Sequence, residues 1–304
     1  MKILALVLAG GEGSRLRPLT ESHAKPALAF VNGYRLVDFV LSNLVNSGIT
    51  SIYVLAQYKP QSLIEHIRAG WSPALRGPGR FVNVVLPETG LARGSFLGTA
   101  DAVYKNLHLC TRHAPDLVAV FAADHVYRMD VGQMVEAHLR SRAQISVAAV
   151  PIPIAWAPHF GIIAADADGR IREFQEKPAS PAQIPGRPGL AYASMGNYLF
   201  EPTVLAALLE QAARRGETDF GRHILPRAIA THRVVAYDFA GNRVPGILPH
   251  EEPHYWRDVG TIAAYRAAQR DASGHTPKFS LANARWPIGG EFRDAADGRV
   301  AAAC

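Results

Sequence analysis

Continuous apolar runs of strand length, separated by segments with helical periodicity, are the feature that most constrains the fold of this chain. These runs do not alternate with polar residues, which is typical of strands covered on both faces. The five clearest are Ile3–Ala9, Ser51–Ala56, Phe81–Leu86, Leu117–Ala122 and Ile145–Val150. Between them, Leu36–Ser47 and Val131–Arg142 carry apolar stripes at helical spacing. This alternation predicts an α/β fold, with a mostly parallel mixed sheet and helices on both faces.

The second half of the chain changes in texture from about Phe160. Asp168-Gly169 lies between two short apolar runs and predicts a hairpin turn. Helical patterns return at Pro202–Arg215 and Phe220–Thr231. We expect a single catalytic domain over residues 1–280, followed by a linker or tail over residues 281–304.

Composition and charge exclude several classes of protein. The chain has 304 residues, 48% of them apolar and 19% charged, which is unlike a disordered chain. Its net charge of +6 is not gathered into a block, so we predict no nucleic-acid partner. The longest apolar run is far shorter than the roughly 20 residues that span a membrane, so we predict no membrane partner. Cys110 and Cys304 form no disulfide framework, and a cytoplasmic location fits.

A glycine-rich turn follows the first predicted strand. Gly10, Gly11 and Gly13 place three glycines in four positions, which lets backbone N–H groups approach phosphates closely. The turn matches neither the dinucleotide fingerprint nor the P-loop, and alone it is weak evidence for phosphate binding. Arg15 and Lys25 follow nearby, and two cations beside such a loop suit a triphosphate.

Two aspartates are candidates for holding a metal ion. Asp124 follows the apolar run that ends at Ala123, and Asp258 lies in the segment Tyr255–Thr261. Mg²⁺ prefers one or two carboxylates together with phosphate oxygens. Taken singly, each aspartate is better interpreted as a helix cap or a turn residue. Together with a phosphate-binding loop, they predict a magnesium site.

One further lysine has a defined position in the predicted structure. Lys177 ends a predicted strand and precedes Pro178, which sets the direction of the chain.

His250–His254 matches the letters of the zinc-protease motif H-E-x-x-H, which works only on a helix. Because Pro253 disfavours a helix there, we predict no zinc site.

Taken together, these segments resemble the glucose-1-phosphate adenylyltransferase (ADP-glucose pyrophosphorylase) family from Leu4 to about Ile288. The glycine-rich loop is shared by all sugar nucleotidyltransferases, whereas Tyr34–Ile49 and Ala193–Phe200 are typical of the adenylyltransferase branch. The similar segments are Leu6–Thr20, Ala24–Ala27, Tyr34–Ile49, Gln57–Trp71, Gly98–Asn106, Ala123–Asp130, Phe160–Ile163, Phe174–Pro178, Ala193–Phe200, Asp219–Gly221 and Tyr255–Thr261. The resemblance implies the Rossmann-like fold of sugar nucleotidyltransferases.

The resemblance also implies the reaction and the roles of individual residues. A sugar 1-phosphate oxygen would attack the α-phosphorus of a nucleoside triphosphate, ATP by this resemblance, and pyrophosphate would leave. The product, ADP-glucose, belongs to glycogen biosynthesis. The implied catalytic residues are Arg15, Asp124 and Lys177, and the implied Mg²⁺ ligands are Asp124 and Asp258. The implied nucleotide site comprises Leu8, Gly10, Gly11, Gly13, Arg15, Lys25, Gln57, Gly98, Thr99 and Asp124. The implied sugar-phosphate site comprises Glu176, Lys177, Ser194, Asp219 and Trp256.

Several positions depart from the family's pattern and leave the acceptor open. Phe96-Leu97 stands where an aromatic pair is usual, His159 stands where a small or acidic residue is commoner, and His223 replaces an expected acid. The leading hypothesis is synthesis of ADP-glucose. The alternative is the same chemistry on another hexose 1-phosphate or a valienol-type cyclitol phosphate. A third hypothesis is that the chain is a non-catalytic regulatory subunit. The nucleobase also stays open, because loop geometry around Gln57 decides it.

The chain stops shortly after Ile288, where family members continue into a C-terminal β-helix. That domain shapes the activator site and the tetramer of the family, and Lys25 corresponds to a position near both the pyrophosphate and the activator. We therefore expect weak or absent allosteric control, and a monomer or a homodimer.

Overall fold

The chain folds into eleven strands and eight α-helices over the described residues of a computed structural model, which are 1–75, 77–88 and 95–289. The strands are β1 (Ile3–Ala9), β2 (Ser51–Ala56), β3 (Phe81–Val85), β4 (Leu117–Ala122), β5 (His125–Tyr127), β6 (Ile145–Pro153), β7 (Gly161–Ala165), β8 (Ile171–Glu176), β9 (Leu190–Phe200), β10 (Val234–Asp238) and β11 (Trp256–Asp258). The helices are α1 (Leu36–Asn46), α2 (Gln61–His66), α3 (Thr99–Tyr104), α4 (Leu107–His113), α5 (Val131–Arg140), α6 (Pro202–Arg214), α7 (Leu225–Thr231) and α8 (Ile262–Asp271).

The main sheet has nine strands, seven of which follow one another in the order β10-β6-β9-β4-β1-β2-β3. The pairs β2–β3 and β6–β10 are parallel, whereas β9 runs antiparallel to both β4 and β6. Strands β7 and β8 form an antiparallel hairpin in which β7 also pairs with β9. Strands β5 and β11 form a separate antiparallel pair. The predicted α/β fold with a mostly parallel mixed sheet is confirmed.

The continuous apolar runs produced the most accurate predictions. β1, β2 and β4 begin and end at the predicted residues, and every residue of β2 is buried. The hairpin predicted at Asp168-Gly169 connects β7 to β8. β6 continues to Pro153, three residues beyond the predicted end, because its last residues pair with the start of β9.

Contacts divide the domain into two compact units. Among the described residues, the first consists of Met1–Leu6, Ser95–Phe121 and Gly132–Asn242, and the second of residues 7–75, 77–88, 122–131 and 243–289. The second unit has an aromatic core in which Phe39 meets Phe279 edge to face, with ring centroids 5.8 Å apart.

Residues 281–289 of the predicted tail pack within the second unit. The side-chain amide of Asn46 donates to the carbonyl of Pro287 at 2.9 Å, and the N–H of Gly289 donates to Oγ of Ser42 at 3.0 Å. The rest of the predicted tail, residues 290–304, lies outside the described residues. Across the described part of the chain, no helix is both long and apolar enough to cross a bilayer.

Candidate active site

The glycine-rich loop follows β1 and leaves its backbone open to a ligand. Gly13 has a φ of +68°, and a Cβ there would lie 2.9 Å from Cγ2 of Thr20, so the position requires glycine. A Cβ on Gly11 would meet nothing within 4 Å. The side-chain amide of Gln57 donates to the carbonyl of Gly10 at 3.4 Å. The structure thus brings three predicted nucleotide residues, Gly10, Gly13 and Gln57, into one loop region of the second unit.

A cluster of opposite charges lies in the same unit. The ammonium of Lys25 donates to Oδ2 of Asp124 at 2.8 Å and lies 3.8 Å from Oδ1 of Asp258. The Lys25 side chain is only 8% exposed, whereas the two aspartate side chains keep 35% and 29% of their surface exposed. Two carboxylates therefore converge on one cation while still facing solvent.

Strand pairing explains why the two aspartates meet. Asp124 lies between the end of β4 and the start of β5, next to Ala123, whose N–H donates to the carbonyl of Leu8 at 3.2 Å. Asp258 ends β11, which pairs antiparallel with β5 and places Asp258 opposite His125. The register of this short pair decides the separation of the two carboxylates.

Electrostatics keep the Asp124 carboxyl ionised. Burial by itself raises the pKa of Asp124, but the Lys25 ammonium and the neighbouring His125 oppose that effect. The net result is a pKa of Asp124 well below its ordinary value. The carboxylate is thus a permanent anion at neutral pH, as a ligand for a hard cation must be.

Arg15 borders the same cluster through a glycine. A Cβ on Gly260 would lie 3.0 Å from Nη2 of Arg15 and 3.1 Å from both carboxylate oxygens of Asp258. Arg15 is itself exposed. Its guanidinium therefore lies at the edge of the carboxylate cluster, where an incoming anion can reach it.

Trp256 and His125 pack against each other beside the aspartates. Their ring centroids are 5.0 Å apart, and Nε2 of His125 lies 3.7 Å from Oδ1 of Asp124. Nδ1 of His125 is buried and has no hydrogen-bond partner within the described part of the chain. Trp256, a predicted sugar contact, is 7% exposed and is placed with the aspartates in the second unit.

The first unit brings together another set of predicted residues. The Thr99 hydroxyl donates to Oδ2 of Asp219 at 3.1 Å and accepts the N–H of Phe220 at 3.0 Å. A Cβ on Gly98 would collide with the carbonyl oxygen of Thr218. This carbonyl also accepts the N–H of Ala100 at 2.8 Å. The start of α3 and the segment at Asp219 are thus locked together.

The other predicted sugar residues of this unit surround Tyr198. Burial, first of all, raises the pKa of Tyr198 to about 12, and the charges of Asp219 and Glu176 add to that effect. A hydrogen bond with Ser194 acts in the opposite direction. Nζ of Lys177 lies 4.0 Å from Oε1 of Glu176, and its side chain is 55% exposed. An exposed ammonium thus lies beside the Glu176 carboxylate.

Comparison with known proteins identifies the family. The family model described as nucleotidyl transferase matches residues 4–274. The glucose-1-phosphate adenylyltransferase of Thermodesulfovibrio yellowstonii is 50% identical over 288 residues, which cover 94% of this chain and 70% of that protein. The chain belongs to the glucose-1-phosphate adenylyltransferase family.

Other members of the family are similar over the same span. The enzyme of that name from Thermus thermophilus is 49% identical over 95% of this chain and 71% of its own length. Glucose-1-phosphate adenylyltransferase 1 of Vibrio cholerae is 44% identical over 94% of this chain and 70% of its own length. The predicted resemblance is confirmed.

Sequence patterns assign no role to two residues that contact predicted site residues in this structure. His125 and Tyr198 lie within the similar segments Ala123–Asp130 and Ala193–Phe200, yet neither was given a role. Their position inside those segments was the available signal. Their importance depends on their neighbours. The pairing of β5 with β11 brings Trp256 to His125, whereas Tyr198 is hydrogen-bonded to Ser194 of its own strand and feels the charge of Asp219.

The segment that matches the letters of the zinc-protease motif is not helical in this structure. His250–His254 forms turns rather than a helix, so the two histidines do not share a helical face. His138, which lies on the apolar stripe of α5, is a buried core residue whose Nδ1 is hydrogen-bonded to Oγ of Ser146 at 2.8 Å. Over the described ranges, no three His, Cys, Asp or Glu side chains group to hold a metal.

Proposed function

We propose that this chain joins ATP and glucose 1-phosphate to form ADP-glucose and pyrophosphate. An oxygen of the sugar phosphate attacks the α-phosphorus of ATP, a new P–O bond forms, and the bond to the pyrophosphate group breaks. The observation that carries the proposal is the convergence of Asp124 and Asp258 on the Lys25 ammonium beside a glycine-rich loop. Such a reaction needs alignment and charge neutralisation rather than covalent catalysis by the protein.

The two carboxylates fit a magnesium ion. Both face the same positive charge, both keep part of their surface exposed, and they supply the hard oxygen donors that Mg²⁺ prefers. Asp124 and Asp258 would hold the ion, with phosphate oxygens and water as the other ligands. When bound, Mg²⁺ would neutralise phosphate charge and make the α-phosphorus more electrophilic.

Residues of the second unit would bind and orient the triphosphate. The open backbone at Gly11 offers N–H groups to phosphate oxygens, and the left-handed turn at Gly13 holds that backbone in place. Arg15, exposed at the edge of the carboxylate cluster, would bind the leaving pyrophosphate. Lys25 would bind phosphate from the buried side, and Gln57, held on the loop, would border the base.

Residues of the first unit would bind the sugar phosphate. The exposed Lys177 ammonium would hold the phosphate group. Glu176 and Asp219 would accept hydrogen bonds from the sugar hydroxyls, and the Ser194 hydroxyl would accept or donate one. Asp219 is anchored for this role, because its two carboxylate oxygens accept the Thr99 hydroxyl and the N–H of Arg222.

The decisive experiment is a pyrophosphate-release assay with Mg²⁺ across a grid of nucleoside triphosphates and sugar 1-phosphates. We expect fast release with ATP and glucose 1-phosphate. Turnover with another acceptor and none with glucose 1-phosphate would replace the substrate while keeping the reaction. An empty grid, from protein with a cooperative unfolding transition, would refute the proposed function and favour a regulatory subunit.

A further inference from the structure

The imidazole of His223 accepts two backbone hydrogen bonds at the sugar side of the candidate site. The N–H groups of Thr218 and Asp219 both donate to its Nδ1 at 3.2 Å. A ring nitrogen that accepts hydrogen bonds does so through its lone pair, so Nδ1 acts as the acceptor of the ring. His223 belongs to the π-helical turn Phe220–Ile224 that precedes α7, and the family resemblance predicts an acid there.

The two residues that His223 holds are those that connect the predicted nucleotide and sugar contacts. The carbonyl of Thr218 accepts the N–H groups of Ala100 and Asp101 at 2.8 and 3.2 Å and packs directly on Gly98. The carboxylate of Asp219 accepts the hydroxyl of Thr99. A shift of the 218–219 backbone would therefore move the start of α3 and the Asp219 carboxylate together.

We propose that His223 is a positioning residue that sets the affinity for both substrates through Thr218 and Asp219. The identity of the two substrates rests on the proposed function, whereas the positioning itself does not. Without an acceptor at this place, two backbone N–H groups lose their partner, which costs free energy unless the backbone moves to find another. That movement displaces Asp219 from the sugar and Gly98 from the nucleotide.

The test compares two substitutions that differ in one property. His223→Asn keeps an acceptor near the position of Nδ1, and His223→Leu removes it. We expect H223L to raise KM for both ATP and glucose 1-phosphate by about 10-fold, with kcat within about threefold of wild type. A 10-fold change corresponds to the free energy of roughly one net hydrogen bond. H223N should restore both KM values to near wild type. His232→Leu is the matched control, since that half-buried ring contacts Thr231 rather than the site.

A merely structural role predicts a different pattern. In that case H223L lowers the melting temperature and the fraction of active enzyme, while both KM values stay unchanged. H223N would then show no specific rescue of KM. Unchanged KM values in folded H223L, or no rescue of KM in folded H223N, would overturn the proposal. If H223L does not fold, His223→Ala replaces it in the same comparison.

Amide hydrogen exchange tests the positioning without any turnover. We expect faster exchange at Thr218 and Asp219 in H223L than in wild type, and wild-type rates in H223N. This measurement decides the positioning even if the wild-type chain proves inactive with ATP and glucose 1-phosphate, an outcome that would refute only the proposed function. Equal exchange rates in all three proteins would overturn the role of His223.

Discussion

The ammonium of Lys25 lies 2.8 Å from Oδ2 of Asp124, although 99 positions separate the two residues in the sequence. Lys25 is almost wholly buried and Asp124 is not. A buried ammonium needs a partner, and a metal-binding carboxylate must stay ionised. One contact meets both needs.

Replacing Lys25 with Met should impair both folding stability and turnover. The change removes the charge that opposes the effect of burial on the pKa of Asp124, and it leaves two carboxylates facing each other. We expect a lower melting temperature and a kcat/KM reduced by about 100-fold or more. Thermal unfolding and pyrophosphate release measure the two effects. The control is Lys278→Met, which removes an exposed partner of Asp271 and should change neither quantity. Wild-type activity in K25M would contradict the role proposed for Lys25.

The proposed metal ligands can be tested by isosteric substitution. Asp124→Asn and Asp258→Asn retain the shape of each side chain but remove its charge. We expect each to lower kcat/KM by about 100-fold or more and to weaken binding of Mn²⁺ in the presence of ATP. Asp168→Asn, in the exposed turn between β7 and β8, should leave both measurements unchanged. Tight Mn²⁺ binding by both site variants would exclude the two aspartates as ligands.

Lys177 should affect the sugar phosphate and not the fold. Its side chain is 55% exposed, so Lys177→Met should leave the melting temperature unchanged. Loss of a charge-assisted hydrogen bond should raise KM for glucose 1-phosphate by about 10- to 100-fold, with KM for ATP unaltered. Lys177→Arg, which keeps a cation, should recover part of the loss. An equal rise in both KM values would instead place Lys177 outside the sugar subsite.

Two glycines should respond to alanine in opposite ways. A Cβ on Gly98 would strike the backbone oxygen of Thr218, so Gly98→Ala should cost about 1–3 kcal/mol of unfolding free energy. A Cβ on Gly11 would meet no protein atom, so Gly11→Ala should unfold at the wild-type temperature. Because that methyl group would occupy the space proposed for phosphates, G11A should raise KM for ATP. Thermal unfolding separates the two variants, and a destabilised G11A would argue against an open loop.

The Cys110 thiol should react slowly at neutral pH. Burial raises the pKa of Cys110 to about 11, and the thiolate is the reactive form. In a Cys304→Ser background, labelling by a thiol reagent should be slow at pH 8 and should accelerate as the pH rises towards 11. The unfolded protein, labelled in denaturant at pH 8, provides the reference rate. Equal rates for the folded and unfolded proteins would contradict a buried, protonated thiol.

Features encoded by neighbouring residues were predicted well. The runs at β1, β2 and β4 are apolar without interruption, and such runs are buried whatever their partners are. The partners themselves were not predicted. β9 lies between β4 and β6 and runs antiparallel to both, and the choice of a strand's neighbour depends on contacts between distant segments.

Apolar periodicity and motif spacing were enough to predict the fold class, the family and the residue types of the candidate site, because both are local properties of a chain. Which of those residues contact one another depends on the folded structure. The β5–β11 register brings Asp124 and Asp258 together, and Lys25 lies against both carboxylates. The fold also places Nδ1 of His223 where it accepts the N–H groups of Thr218 and Asp219. The physical reason is that electrostatic and hydrogen-bonding effects act over a few ångströms of space, and distance along the chain does not report distance in space.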